Sequence, residues 1–156
     1  MQIRNGAELI KPIPALALTS VVAGASSDGE KITGQAFSRL GFQSCLLDIG
    51  GSATLGDTET VSLEVEIQHC DTLGGTYETA VVLQPETVVL TAVGALTSER
   101  FQVPLPVGLA KYKEFVKFNV TPTMSAGSTD TLSLIASAQL TDSEVEPLQL
   151  SFVAIV

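Results

Sequence analysis

The sequence predicts an all-β chain: an antiparallel sandwich of two sheets, preceded by an extended N-terminal arm. Three observations carry the prediction. Hydrophobic residues fill 45% of the 156 positions, yet only 16% are charged and there is no Trp. That mixture of Val, Leu, Ala and Ile with Thr and Ser fits a pleated surface, and it denies a surface helix the Lys, Glu and Arg its wet side needs. Second, TVSLEVEIQH (60–69) alternates strictly, with Val61, Leu63, Val65 and Ile67 on one side and Ser62, Glu64, Glu66 and Gln68 on the other, the period of a strand with one wet face. Third, short β-like runs recur between turn signals along the whole chain, as in sandwiches and barrels. The length fits one domain with a core of its own.

The elements follow in order. MQIRNGAELIKPIPALALTSVVAGASS begins like a secretory signal, with a charged start and an apolar middle. Glu8 spoils the pattern, and Pro12 and Pro14 break any helical apolar core. Residues 1–14 are therefore read as an extended arm, and 15–156 as one domain whose first strand is ALALTSVVA (15–23). Asp28-Gly29 marks a turn. QAFSRLGFQSCLLDI (35–49) reads as a short helical or irregular piece followed by a strand at 42–49, and Gly50-Gly51 and Gly56 read as loop. After strand 60–69 and a loop at Gly74-Gly75 come YETAVVLQ (77–84), TVVLTAV (87–93), ERFQVPL (99–105), KEFVKFNVT (113–121), DTLSLIASAQL (130–140) and LQLSFVAIV (148–156). Pro85, Pro104 and Pro122 are assigned to strand ends or edges, where a missing N–H is tolerated. Eight or so strands in two sheets make a sandwich of jelly-roll or immunoglobulin-like type.

Charge removes one function class. Eight basic against 17 acidic residues leave a net charge of −9, the wrong sign for phosphate contacts, and no stacking aromatics interleave the basic residues. No nucleic-acid partner is expected. Nor is a membrane one, since no uncharged apolar run approaches the ~18–20 residues of a spanning helix; the chain is expected to be soluble. A positive mean hydropathy with few charges points instead to apolar surface covered by another chain.

The candidate sites divide the same way. His69 and Cys70 are adjacent, and His69 is the chain's single histidine. Neighbouring side chains on a strand point to opposite faces, so His69 should turn inward and Cys70 outward, and the two would not form a thiolate–imidazole pair. One histidine without C-x-x-C or H-x-x-x-H spacing leaves no zinc set, and no G-x-S-x-G elbow supports a triad. Cys45 reads as a small buried hydrophobe. GGSATLG (50–56) lacks the Lys and Ser/Thr of a phosphate loop. TDSEVEPL (141–148) lacks the ligand order of a calcium loop and reads as a solvated turn. No catalytic, cofactor-binding or metal-ligating residue is expected, and the chain is read as a non-enzyme.

Interaction features remain. The arm carries Ile3, Leu9, Ile10 and Ile13 around Pro12 and Pro14, an extended segment suited to a groove or sheet edge. Lys111, Lys113 and Lys117 share parity in a strand near 111–121, read either as the wet face of an edge strand or as a basic stripe meeting a partner. The apolar end LQLSFVAIV also points to assembly.

The segment from about 42 to 140 resembles the small jelly-roll decoration (cement) proteins of tailed-bacteriophage capsids. LEVEIQHCDTLGGTYET, ERFQVPLPVGLAKYKEFVKFNVT, the turn MSAGSTD and TLSLIASAQL carry the resemblance. It implies a non-catalytic homotrimer on the outer surface of the virion, clamping neighbouring major capsid protein subunits against internal DNA pressure. The alternative from another class is an extracellular glycan- or receptor-binding sandwich, of fibre or adhesin type.

Overall fold

The computed structural model describes residues 11–25, 28–94, 97–125 and 130–143. Its strands are β1 (Lys11–Val22), β2 (Ile32–Thr33), β3 (Phe37–Ser38), β4 (Phe42–Leu55), β5 (Thr60–Cys70), β6 (Glu78–Thr91), β7 (Thr97–Gly108), β8 (Phe115–Met124) and β9 (Thr131–Ser143). All pair antiparallel, in two sheets. Sheet I has the order β1-β9-β4-β7; sheet II has the order β2-β8-β5-β6, with β3 also on β8.

The pairing is nested. β5 pairs with β6, β4 with β7, the short β2 and β3 with β8, and β1 with β9. A long hairpin whose tip is the 71–77 loop has been rolled so that its outer and inner pairs alternate between sheets. This is jelly-roll connectivity, and it places the two sheets' inner faces against each other.

The alternation in β5 becomes burial. Val61, Leu63, Val65 and Ile67 are fully buried, facing Leu47, Ile49, Leu132 and Leu134 of sheet I within one continuous core. Phe37 and Phe118 meet there with ring centroids 5.8 Å apart. At Gly34 the chain passes between the backbones of the two sheets. A Cβ there would run into the carbonyl oxygen of Phe118 and stand 2.5 Å from that of Ala15, so only glycine fits between the two backbones.

Several sequence expectations change. β1 begins at Lys11, and Lys11 through Pro14 pair with Leu140 through Ser137, so the last residues assigned to the arm already lie in the sheet. Pro12 and Pro14 are accommodated because β1 is an edge strand. The piece around 35–41 is not helical: it holds β3 and a turn at Gly41, whose φ is 82°. Gly50 and Gly51 are not loop residues but lie in the middle of β4, which runs unbroken to Leu55. The reason is packing: the Phe101 ring occupies the space a Gly51 Cβ would need, 2.5 Å from Cζ. Runs 77–84 and 87–93 are one strand, because β6 is an edge of sheet II among the described residues and absorbs Pro85 beside a register shift. The predicted strand 148–156 and the loop residues 144–148 lie outside the described residues.

Candidate functional site

The tip of the roll is built around His69. Its Nδ1 accepts the backbone N–H of Lys113 at 3.1 Å, and its Nε2 lies 3.4 Å from Glu78 Oε1. An acceptor at Nδ1 places the proton on Nε2, facing the carboxylate. Tyr112 meets the imidazole edge-on, centroids 5.7 Å apart. Lys113 Nζ bridges Glu78 at 2.6 Å and Asp71 at 3.2 Å. Those hydrogen bonds, with the opposite charges behind them, raise the Lys113 pKa, and the Lys113 hydrogen bond chiefly lowers that of Glu78. Arg39 Nε donates to the carbonyls of Tyr112 and Lys113 at 2.6 and 3.1 Å. The cluster ties the 71–77 tip to the segment before β8.

Cys70 corrects the parity reading. It shares the register of Glu64, Glu66 and Gln68, yet it is buried, because Gly75 of the tip loop folds over its sulfur. A loop covering the sheet overrides alternation at the strand's end. Burial pushes the Cys45 thiol up to about 12, which keeps it protonated and unreactive at neutral pH. Among the described residues no group of three or more His, Cys, Asp and Glu is placed to hold a metal ion. No helix among them is long and apolar enough to cross a membrane.

Two acids among the described residues are buried, Asp130 at 2% exposed and Glu66 at 6%; Asp130 Oδ1 accepts Gly56 N–H at 3.0 Å, and Glu66 anchors a network. Lys31 Nζ and Asn119 Nδ2 both donate to its Oε1 at 2.8 Å, and Asn119 Oδ1 in turn accepts Gly34 N–H at 3.2 Å. Burial alone would raise the Glu66 pKa; the hydrogen bonds from Lys31 and Asn119 and the Lys31 charge outweigh it and hold it below the usual value. This network fixes the Gly34 segment over β8.

The expected interface residues fall in different places. Pro12, Ile13 and Pro14 lie along edge strand β1, while Ile3, Leu9 and Ile10 fall outside the described residues. Lys111 and Lys113 precede β8 rather than belonging to it, so the three lysines form no single strand stripe. β8 is also not an edge strand, since β2 and β3 flank it. Lys111 Nζ sits 5.1 Å over the Tyr112 ring, and Lys117 Nζ sits 4.4 Å over Tyr77.

The two outer faces differ in kind. Sheet II carries Glu64, Glu66, Gln68 and Lys117 at outward register positions of β5 and β8, with Glu66 covered by Lys31, and it exposes Val82 and Val88 on β6. On sheet I, the outward register positions of 12–22, 44–54, 98–106 and 131–141 hold Ser, Thr, Gly, Pro, Gln and aliphatic residues, and two charges only, Asp48 and Arg100. Leu18 is 73% exposed and Ile135 51%. A register shift between Leu16 and Thr19 sets Ala17 and Leu18 together opposite Ile135. Beside Ile135, its pairing partner Gly50 leaves a depression of about 380 Å³ bounded by Arg100, Phe101 and Gln102. Gln102 Nε2 donates to Asp48 Oδ2 at 2.7 Å, and the other oxygen, Oδ1, has no hydrogen-bond partner among the described residues. The Gly50 dent and its neighbouring ridge are not legible in the sequence, where paired glycines read as a loop.

A two-sheet antiparallel sandwich with jelly-roll connectivity and a neutral outer face is the class of protein these residues define. No known family and no curated protein sequence matches the chain. Solved structures do match its fold. A chain of infectious bursal disease virus, Gx strain, is 16% identical with a TM-score of 0.52, over 88% of this chain and 33% of that one. A chain of the T13 particle of the same virus is 14% identical with a TM-score of 0.52, over 86% and 31%. The PBSX exported protein XepA matches over 98% of this chain and 46% of its own, at 15% identity and a TM-score of 0.39 that supports no argument. The chain thus spans about a third of the length of the virus-particle chains whose fold it shares.

Proposed function

We propose that the protein is a non-enzymatic structural component of a virus particle, a decoration protein that binds the outer capsid surface across neighbouring major capsid protein subunits, as a trimer. The observation that carries this reading is the jelly-roll sandwich shared with virus-particle chains, joined to an outer sheet face nearly free of charge. A face of that kind is built for contact rather than for water. The trimer, the cementing role and the phage head come from the resemblance of segment 42–140.

In this proposal the first contacts are the N-terminal segment, with Ile3, Leu9, Ile10, Pro12, Ile13 and Pro14, and the cations Lys111, Lys113 and Lys117. Lys113 is the weakest of these, because Asp71 and Glu78 already meet its charge. A subunit that binds only the assembled lattice stabilises it by mass action, and several weak contacts per oligomer add through multivalency. The test is binding of purified protein to expanded phage capsids lacking their decoration protein, followed by thermal disruption of the particles. Saturable binding with a raised disruption temperature is the expected result. Failure to bind, together with specific hits on a glycan array, would replace this reading with the receptor-binding one.

A further inference from the structure

We propose that the outer face of sheet I is a self-complementary interface that receives the same face of a second copy about a twofold axis lying along the strands between β9 and β4. The inference rests on the reading of the chain as an assembling protein, but not on the capsid or the trimer.

Three features of the face select a second copy as its occupant. The first is shape. Leu18 of β1 and Ile135 of β9 form a ridge on one half, and Gly50 of β4 leaves a dent on the other, with Ile135 and Gly50 directly paired across the β9–β4 ladder. A twofold axis between those strands sets each copy's Ile135 over the other's Gly50. A patch that carries both a knob and its own hole meets the requirement of an isologous contact.

The second is charge. A chain of net charge −9 repels its copies wherever acids face each other. On this face the charges are Asp48 and Arg100, one of each sign. Rotation about the proposed axis sets Asp48 against Ser137, Arg100 against Ser20 and Ser52 against Ser133, so no like charges meet. The Ser137 hydroxyl arrives on the side of Asp48, a neutral neighbour for its carboxylate.

The third is area. Four strands ~4.8 Å apart and about ten residues long cover about 600 Å² per copy. Two copies bury about 1,200 Å², the lower end of specific, stable interfaces. The neighbouring edges are less suited to strand addition: Pro104 and Pro106 lack N–H groups on β7, and β6 is interrupted by Pro85 and four register shifts.

The test is the mass of the purified chain by light scattering and sedimentation at tens of micromolar. The wild type is expected to contain an even number of copies: two, or six where a threefold contact also forms. Gly50→Leu fills the dent without a clash inside the chain, since a Cβ at Gly50 meets nothing within 4 Å. It and Ile135→Glu should halve the mass, weakening the contact at least 100-fold, with circular dichroism unchanged. Exchanging knob and dent, Ile135→Gly with Gly50→Ile, should restore the even assembly. Val93→Glu, at an exposed site away from this face, should leave the mass as it is. A wild-type mass of one or three copies, or an even mass that both single variants leave intact, overturns the interface. Capsid binding by a monomeric or trimeric chain would then leave the proposed function standing, whereas an even assembly that ignores capsids would leave only the interface.

Discussion

Gly34→Ala should be among the most damaging single-methyl additions to the fold. The added Cβ collides with the Phe118 carbonyl oxygen and lies 2.5 Å from the Ala15 carbonyl oxygen, where real Cβ atoms keep 3.0 Å. Both obstacles are backbone, one in each sheet, so neither yields by a side-chain rotation. Relief requires the 33–35 segment to lift, which stretches two bonds: Gln35 N–H to Ala15 O at 2.8 Å, and Gly34 N–H to Asn119 Oδ1 at 3.2 Å. Overpacking costs about 1–3 kcal/mol, and each weakened hydrogen bond about 1 kcal/mol. The expected loss is therefore about 3–5 kcal/mol, a large part of the ~5–15 kcal/mol that holds a domain folded. Urea unfolding reads it directly: with a slope of ~1–3 kcal/mol/M the midpoint falls by more than about 1 M. Gly74→Ala is the matched control, because a Cβ there meets nothing within 4 Å; it should change stability by less than about 0.5 kcal/mol. A Gly34→Ala protein within about 1 kcal/mol of wild type would refute the claim that the two backbones close on this residue.

Other perturbations test the polar anchors and the core. The Glu66 pKa is lower in the folded state than its ordinary 4.5. Its contribution is therefore present above about pH 4.5 and is lost as pH falls through the lower folded value. Glu66→Gln should flatten stability against pH in that acid window; an unchanged acid limb would show that Lys31 and Asn119 do not hold the carboxylate. Lys31→Met should cost about 1–2 kcal/mol, less than a fully buried pair because the ammonium is half exposed. His69→Ala removes the acceptor for Lys113 N–H and the Tyr112 contact, for a loss of about 1–2 kcal/mol in unfolding experiments, without loss of particle binding. Binding or an enzymatic activity that vanishes with the imidazole would overturn the structural role. Cys45, with its thiol pushed up to about 12, should resist iodoacetamide at pH 8 in the folded protein and react on unfolding; rapid labelling of the native chain at that residue would contradict its burial.

Much of this fold was legible because β5 states its two faces openly, apolar residues alternating with Ser, Glu and Gln. The core-facing residues of β8 and β9 follow from the same rule. What stayed hidden lies where a local rule was overruled by tertiary packing or by a strand's place in its sheet. Gly50-Gly51 read as a break because glycine favours turns, but Phe101 on β7 fills the space above Gly51 and keeps β4 continuous. Pro85 read as a boundary because proline lacks an N–H, yet an edge strand has a side on which no N–H is needed. Cys70 read as exposed from parity alone, and the tip loop buried it. Lys113 read as part of a stripe, and its partners Asp71 and Glu78 come from the far side of the hairpin tip. The Gly51 and Lys113 contacts join segments that only the roll brings together, whereas Cys70 is covered from its own hairpin loop.

The kind of polar residue that alternates with the core carries information that alternation by itself does not. In β5 the outward positions include Glu64, Glu66 and Gln68, side chains long enough to reach water or to build an ion network. In β4 and β9 the outward positions are Ser44, Leu46, Asp48, Gly50, Ser52 and Thr54, then Thr131, Ser133, Ile135, Ser137, Gln139 and Thr141, most of them short and uncharged. Short uncharged side chains lose little rotamer entropy when covered, and they leave a surface flat enough for another sheet to approach to the ~10 Å of face-to-face packing. With net charge −9, a soluble monomer would gain by placing acids on this face as well. With Asp48 the one acid at the outward positions of β1, β9, β4 and β7, the outer face of sheet I carries little charge to keep a second copy away.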